Sequence, residues 1–226
     1  MVSFKGAHFV KDVILTCVRW YVAYPLNDRQ VEELRQARGV SVDHTTINRW
    51  LLKYSPQLEA VFHRRKRPVG VSWHLDEPYV KVKGQWHYQY RAVNNRGQAI
   101  DVLLMEERDE RVAMHFLTKA IRWHGVPEKI TIDGREANAS AIQSDNEAHG
   151  TGIILRQVKY LNHMAERDHR DVTRVTRLMP GCKSFEAVQR TLVGIEFMHM
   201  LKKGQMVVAE GVKGSTPAEQ LSALAA

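Results

Sequence analysis

The chain has 226 residues, of which 44% are hydrophobic and 26% charged, enough for one domain of ordinary size plus a small one. No apolar run is long enough to predict a transmembrane helix. The only two cysteines form no CxxC motif, which predicts the reducing cytoplasm and argues against a zinc or disulfide framework. We therefore expect a soluble globular protein.

The formal net charge of +8 is concentrated near the N-terminus. Residues 1–70 carry 12 of the 33 Lys and Arg residues but only 6 of the 25 acidic ones. A basic segment ahead of a nearly neutral body indicates a polyanionic partner, most simply nucleic acid. The alternative is a basic surplus that only aids solubility.

Apolar residues at helical spacing predict a first helix over residues 8–24, which Pro25 ends. Asn27 or Asp28 can cap a second helix, because either side chain can accept from free backbone N–H groups. Gly39 follows the end of this second helix as a stop signal.

A third helix is predicted to open at Asp43 and to stop at Pro56. The string HRRKRP that follows is typical of a charged linker. The expected organisation is a helical module over residues 1–62 and a basic linker over 63–70.

Alternating hydrophobicity replaces the helical period after residue 70. Three alternating runs separated by turns predict an antiparallel meander, and shorter strands then alternate with helices. The fold class is therefore α/β, with an N-terminal helix-turn-helix module followed by a mixed sheet with flanking helices. The predicted strands are 71–83, 86–93, 98–105, 129–133 and 153–160, and the predicted helices are 111–125, 137–150, one from 162, and 184–203. The second domain is expected to span 71–203, followed by a C-terminal tail over 204–226 that drapes or frays.

The second and third helices are joined by a short Gly-containing turn, which predicts a helix-turn-helix with its later helix in the DNA major groove. Short polar and cationic side chains at the start of that helix can reach base edges and phosphates, while Trp50, Leu51 and Tyr54 face the packing side. A plain three-helix bundle with a polar face is the alternative. The candidate DNA-binding residues are His44, Thr45, Thr46, Asn48 and Arg49, with Arg64, Arg65, Lys66 and Arg67 of the linker.

Three carboxylates form the candidate catalytic constellation. Asp76 lies in the first predicted strand, Asp133 ends the fourth, and Glu166 lies near the start of a later helix. If the first and fourth strands lie side by side, Asp76 and Asp133 meet and the helix of Glu166 packs across them. Crowded carboxylates are stable when hard cations neutralise them, which predicts two Mg²⁺ ions, with Mn²⁺ able to substitute. Taken singly, each acid could be an ordinary strand end or helix cap.

The chain resembles the compact DDE transposases of bacterial insertion sequences, specifically insertion-sequence family six. The resemblance implies an RNase H-like catalytic domain that recognises terminal inverted repeats and uses Mg²⁺ to cut and strand-transfer DNA. The matching phrases are FKGAHFVKDVIL, ARGVSVDHTTINRW, WHLDEPYVKVKGQWHYQYRAVN, ITID, QVKYLNHMAERDHR and GCKSFEAVQRTLVGIEFMHMLKKGQ.

The resemblance makes Asp76, Asp133 and Glu166 both the catalytic and the metal-binding residues. The family motif around the first Asp corresponds here to Trp73, Asp76, Glu77 and Tyr79. The family motif around the Glu corresponds to Asn162, Glu166, Asp168 and His169. Lys81 and Lys83 could meet DNA phosphates or be ordinary edge charges. The supporting residues are Lys81, Lys83, Asn162, His169 and Arg174, of which Arg174 lies one residue beyond a position that is often Lys or Arg in these enzymes.

Two other functions remain open at the level of sequence. One is a catalytically impaired transposase remnant or DNA-binding regulator, and the other is an RNase H-like nuclease without joining activity. Joining two DNA ends implies at least a homodimer on DNA. The expected location is the bacterial cytoplasm, at the nucleoid and away from membranes.

Overall fold

A computed structural model of the chain describes residues 2–82, 84–133, 136–158, 184–207 and 215–225. These residues form two compact units. The helical unit comprises the described residues before Pro68 and after 183, and the sheet unit comprises those from Pro68 to 158. No helix within these described ranges has the length and apolar character needed to cross a bilayer.

The described residues form the following helices and strands, numbered in chain order. The helices are α1 (Lys11–Ala23), α2 (Asp28–Gln36), α3 (His44–Arg65), α4 (Glu110–His124), α5 (Glu136–His149), α6 (Phe185–Lys202) and α7 (Pro217–Leu224). The strands are β1 (Ser72–Asp76), β2 (Tyr79–Val82), β3 (Gln85–Asn94), β4 (Ala99–Met105), β5 (Lys129–Ile132) and β6 (Ile154–Gln157).

The predicted start and end signals of the first helices are confirmed. Helix α1 ends at Ala23, and Tyr24 beside Pro25 is already extended. Asn27 forms a capping box with Gln30, in which each side chain accepts from the other residue's backbone N–H. Asp43 caps α3 by accepting from the Thr45 N–H at 3.0 Å.

The prediction that Pro56 stops the third helix is wrong, because α3 runs through it to Arg65. Proline has no N–H, so the carbonyl of Leu52 loses its helical donor. Arg190 of α6 donates to that carbonyl at 3.4 Å. A donor from a distant part of the chain thus replaces the missing hydrogen bond and lets the helix continue.

The C-terminal segment was expected to drape or fray, and the structure adds a capped helix, α7, within it. Thr216 and Glu219 form a capping box, and Pro217 occupies the first turn. Leu221 and Leu224 of α7 are buried. The apolar face of a short helix therefore anchors the end of the chain in the helical unit.

The compact units divide the chain differently from the predicted boundaries. Helix α6, expected in the domain 71–203, packs against α1 and α3 in the helical unit. The expected linker over 63–70 is also partly ordered, because α3 continues to Arg65 and Lys66 forms a β-bridge with Met206. The helical unit is therefore built from both ends of the chain.

The sheet unit contains one mixed sheet, which confirms the predicted α/β class. Strand β3 pairs antiparallel with β4, and also with β2 and β1 in turn. Strand β1 pairs parallel with β5, and β5 pairs parallel with β6. The expectation that the first and fourth predicted strands lie side by side is therefore confirmed.

The first predicted strand, 71–83, is divided into β1 and β2. Pro78 has no N–H and interrupts the strand, but its carbonyl still accepts from the Gln89 N–H at 2.9 Å. The pairing on β3 keeps its register across the interruption, from Asp76 opposite Arg91 to Tyr79 opposite Tyr88. The side chains of β1 and β2 therefore follow a single alternation between the two faces of the sheet.

Helices α4 and α5 pack on one face of this sheet. Its core includes Trp73 and Leu75 of β1, Ile130 and Ile132 of β5, and Phe116 of α4, none of them more than 4% exposed. Since side chains alternate along a strand, the residues between these apolar ones lie on the opposite face.

Close packing in the helical unit leads to a first prediction. A Cβ at Gly194 of α6 would lie 2.6 Å from Ser55 Oγ and 2.9 Å from Val22 Cγ1. Overpacking costs about 1–3 kcal/mol of stability. Part of this cost is offset because alanine is more favourable than glycine in a helix by roughly 1 kcal/mol. We expect Gly194→Ala to lower the free energy of unfolding by about 1 kcal/mol in urea titrations.

Gly70→Ala is the matched control, because a Cβ there would lie 3.5 Å from its nearest neighbour, Asn95 Oδ1, in ordinary contact. We expect it to change stability by less than about 0.5 kcal/mol. Equal midpoints for the two variants would contradict the proposed close approach at Gly194.

Candidate active site

Asp76 and Asp133 meet at the carboxyl ends of two adjacent parallel strands. The register pairs Ser72 with Lys129 and His74 with Thr131. Continued by two residues, it sets Asp133 beside Asp76, and neighbouring strands lie about 4.8 Å apart. Both side chains are half-buried.

The two acids also lie on the same face of the sheet. Paired residues of adjacent strands point to the same side, and Trp73 and Ile130 fill the core on the helix-packed face. Asp76 and Asp133 alternate with these apolar residues and therefore point away from α4 and α5. The two carboxylates thus share one surface, and their oxygen atoms are the donors that Mg²⁺ prefers.

A buried arginine is the neighbour of Asp76 on its other side. Arg91 of β3 pairs directly with Asp76 and is 0% exposed. A buried charge is tolerated only when it is paired and hydrogen-bonded. A row of Arg91, Asp76 and Asp133 therefore crosses three strands on one face, with a cation next to the two acids.

His74 shares this face, two residues before Asp76. Burial, together with the positive charges of Lys129 and Arg156, lowers the pKa of His74 below its ordinary value. The ring is therefore neutral at neutral pH and adds no charge to the acidic end of the strand.

Glu77, next to Asp76, is held on the opposite face. Its side chain is 1% exposed, and its Oε2 lies 2.6 Å from Arg108 Nε. The side-chain amide of Asn138, in the first turn of α5, donates to its other oxygen, Oε1. The backbone N–H of Glu77 donates to Asp76 Oδ1 at 2.9 Å.

Several predicted site residues lie outside the described part of the chain. The third acid, Glu166, is one of them. Strand β2 includes the backbone of Lys81, whose side chain is not described. The others outside the described residues are Lys83, Asn162, His169 and Arg174.

The predicted DNA-binding residues of the third helix occupy the first two turns of α3. Thr45 and Arg49 are exposed and stand one turn apart, so they share a helix face. Arg49 Nη2 donates to Thr46 Oγ1 at 2.9 Å. His44 Nδ1 lies 3.0 Å from Glu32 Oε2, while Asn48 is half-buried.

The opposite side of α3 is apolar. Trp50, Leu51 and Tyr54 are all buried, which confirms the predicted packing side. This division between a packed face and an exposed polar face fits both a helix-turn-helix and a plain helical bundle.

The basic residues predicted as linker contact the C-terminal part of the helical unit. Arg65 Nη1 donates to the Ala223 carbonyl at 2.9 Å, and Arg67 Nε donates to the Met206 carbonyl at 3.0 Å. Arg64 is exposed and Lys66 is half-buried. Two of these four cations therefore contribute to packing as well as to the surface charge.

Comparison with known proteins identifies the family. A family defined by the DDE domain, of the IS240 transposase type, matches residues 70–205. The transposase for insertion sequence element IS257 in transposon Tn4003 of Staphylococcus aureus is 32% identical over 231 residues, covering 99% of this chain and 98% of that protein. This chain belongs to the DDE transposases of insertion-sequence family six. The transposase for insertion sequence-like element IS431mec of Staphylococcus aureus strain Mu50 shows the same identity and coverage.

Solved integrase cores are more distant. The HTLV-2 integrase catalytic core domain in complex with magnesium (trimeric form) has a TM-score of 0.48 at 17% identity, covering 68% of this chain and 96% of that chain. The catalytic core domain of BIV integrase has a TM-score of 0.47 at 19% identity, covering 68% and 95%. The family assignment rests on the sequence relatives and the DDE-domain match.

As a DDE transposase, the protein is a DNA-cleaving and strand-transferring enzyme that uses divalent metal ions. The mixed sheet with flanking helices agrees with the RNase H-like domain that the family implies. The half-buried carboxylates of Asp76 and Asp133, on one face at adjacent strand ends, fit such ions.

Sequence reasoning missed the buried Arg91 and the contacts of Glu77. A charged residue inside the alternating run WHYQYRAV is a signal that could have drawn attention to Arg91, because an arginine in a buried strand needs a partner. The partners of Glu77 come from separate elements, and no local pattern predicts them.

The burial of Arg91 leads to a second prediction. A guanidinium that is 0% exposed requires a compensating partner, and removing one member of such a pair costs about 3–5 kcal/mol. We expect Arg91→Gln to lower the free energy of unfolding by about that amount. Arg96→Gln, in the exposed turn after β3, is the control and should change stability by less than about 0.5 kcal/mol. Similar urea midpoints for the two variants would rule out a paired, buried guanidinium at position 91.

Proposed function

We propose that this transposase binds the terminal inverted repeats of an insertion sequence through α2 and α3, and cuts and joins DNA with Asp76, Asp133 and Glu166. The observation that carries the proposal is the parallel pairing of β1 with β5, which supports a shared position for the first two acids. The identity of the relatives as transposases over nearly the full chain supports the substrate.

The proposed reaction consists of two in-line displacements at phosphorus. Water attacks the phosphodiester at an element end; its oxygen stays on the phosphate, and the element's 3′ oxygen leaves and takes up a proton. The resulting 3′-OH then loses its proton as its oxygen attacks a target phosphate and displaces the target's 3′ oxygen. One phosphodiester breaks and another forms in the second step, so joining needs no nucleotide cofactor.

The roles of the chain's residues follow from this scheme. Asp76 and Asp133 hold two metal ions, and Glu166 completes the ligands of one. When bound, the two Mg²⁺ ions activate the attacking oxygen and stabilise the leaving oxygen. Mn²⁺, another hard cation that oxygen ligands suit, is expected to substitute.

Replacing either described acid tests this assignment. We expect Asp76→Asn or Asp133→Asn to reduce the rates of cleavage and joining by a factor on the order of 10³ or more. The reason is that bound metal ions lower the activation barrier by several kcal/mol. Binding to the terminal repeat should stay within about threefold of the unmodified protein, because the acids make no base contacts in the proposal. Gel-based cleavage and strand-transfer assays on end-labelled repeats measure both quantities.

Asp12→Asn, at an exposed position in the first turn of α1, is the matched control and should leave all activities unchanged. Near-normal joining by Asp76→Asn would refute the catalytic assignment. Repeat binding without cleavage at any Mg²⁺ or Mn²⁺ concentration would identify an impaired remnant or regulator, and cleavage without joining would identify a nuclease.

The DNA-binding assignment rests on the exposed face of α3. Thr45 and Arg49 lie on that face and are free of the apolar packing on the other side of the helix. Polar and cationic side chains at a helix start can reach base edges and phosphates in the major groove. The charge surplus of residues 1–70 supports a DNA partner for the same unit.

We expect Arg49→Ala to weaken binding to the terminal repeat by roughly five- to 150-fold, the loss of a base contact worth about 1–3 kcal/mol. If Arg49 contacts a phosphate instead, the slope of the logarithm of affinity against the logarithm of salt concentration falls by about one unit. Discrimination between DNA sequences is then unchanged. Fluorescence anisotropy at several salt concentrations separates the two cases. Arg122→Ala, at an exposed position in the last turn of α4, is the control; unchanged affinity in Arg49→Ala would contradict this use of α3.

Assembly and location follow from the proposed reaction. Joining requires two element ends to be held together, so we propose at least a homodimer on DNA. The target is bacterial DNA, so the proposed site of action is the cytoplasm, at the nucleoid.

A further inference from the structure

The carboxylate of Glu77 is buried next to the proposed metal ligand Asp76. It contacts Arg108, from the segment between β4 and α4, and Asn138, from the first turn of α5. A carboxylate that is 1% exposed must be compensated by charge and hydrogen bonds, and these two residues supply both. Glu77 therefore connects the end of β1 to two other elements of the sheet unit.

Because Glu77 directly follows Asp76 in the chain, its contacts restrain the position of Asp76. Successive residues of a strand point to opposite faces, so Glu77 is held on the helix-packed face while Asp76 points to the other. The Glu77 backbone N–H donates to Asp76 Oδ1. Contacts that hold the Glu77 side chain on the helix-packed face therefore also restrain the backbone at Asp76 and the orientation of its carboxylate on the opposite face.

The contact with Asn138 extends this restraint to the second acid. Helix α5 begins at Glu136, three residues after Asp133, and Asn138 lies in its first turn. The Glu77–Asn138 hydrogen bond therefore joins the residue that follows Asp76 to the helix that follows Asp133. It restrains the ends of β1 and β5 just beyond their last paired residues, His74 and Thr131.

We propose that Glu77, held by Arg108 and Asn138, is a positioning residue that sets the separation and orientation of Asp76 and Asp133 and so determines the metal affinity of the pair. The proposal rests on the function proposed above. Residues that orient metal ligands from behind change metal affinity or activity by about 10–100-fold when they are replaced. Glu77 itself points away from the metal-binding face and is not a ligand.

Glu77→Gln tests the proposal because it keeps the size of the side chain and removes the charge that pairs with Arg108. Binding of Mn²⁺ alone, measured by calorimetric titration without DNA, should weaken on the order of 10–100-fold. The Mg²⁺ concentration for half-maximal cleavage should rise by a similar factor, and saturating Mg²⁺ should recover much of the rate. Repeat binding should be unchanged.

Glu107→Gln is the matched control, since Glu107 precedes Arg108, is 70% exposed and pairs only loosely with Arg111 at 3.5 Å. It should leave both metal measurements unchanged. Unchanged Mn²⁺ affinity in Glu77→Gln would overturn the proposal, as would a lower melting temperature with an unchanged Mg²⁺ requirement, because a purely structural role predicts that combination.

Asn138→Ala provides a second variant that keeps the Glu77–Arg108 pair intact. It removes one hydrogen bond without leaving a charge unpaired, so it tests the restraint even where Glu77→Gln fails to fold. We expect Asn138→Ala to weaken Mn²⁺ binding, as Glu77→Gln does. Unchanged Mn²⁺ affinity in this folded variant would overturn the proposal. Absence of cleavage by the unmodified protein at any metal concentration would instead count against the proposed function.

Discussion

The parallel pairing of β1 with β5 is the constraint on which the proposed active site depends. Trp73 and Leu75 share the packed face with Ile130 and Ile132, and their burial fixes the register of the two strands. A slip of one residue would move every side chain of a strand to the other face and expose this apolar set to solvent. The same apolar burial that stabilises the sheet therefore holds Asp76 and Asp133 together on the opposite face.

Electrostatics add to this geometric constraint. Two neighbouring carboxylates repel each other, yet this sheet also carries two cations close to the strand ends: Arg91 beside Asp76 on one face and Arg108 against Glu77 on the other. Both cations are wholly or largely withdrawn from water, where charge interactions are stronger than at the surface. Arg91 thus offsets part of the repulsion on the acidic face, and in the proposed function the metal ions offset the rest.

Features with local signals were predictable from the sequence, and those set by distant contacts were not. The helix starts at Asn27 and Asp43 followed from capping chemistry. The adjacency of the first and fourth strands was expected from the order of the strands in a mixed sheet. Where α3 continues through Pro56, the Leu52 carbonyl accepts a hydrogen bond from Arg190, which lies 138 residues further along the chain. The capping box of α7 had a local signature, Thr216 to Glu219, that was overlooked in a stretch of small residues. At the candidate site, the neighbouring positions of Asp76 and Asp133 were predictable from the strand order, whereas the contacts of Glu77 come from other elements. The roles of Asp76, Asp133 and Glu166 and of the α3 surface remain predictions.

The helical unit is assembled from both ends of the chain, with the whole sheet unit inserted between them in sequence. During synthesis on a ribosome, α1 and α3 emerge first, but α6, which packs on both, is made only after the sheet. A polypeptide that ends early would therefore carry the basic N-terminal helices with an uncovered apolar face. The packing of the helical unit is consequently completed only after the sheet unit and α6 have been translated.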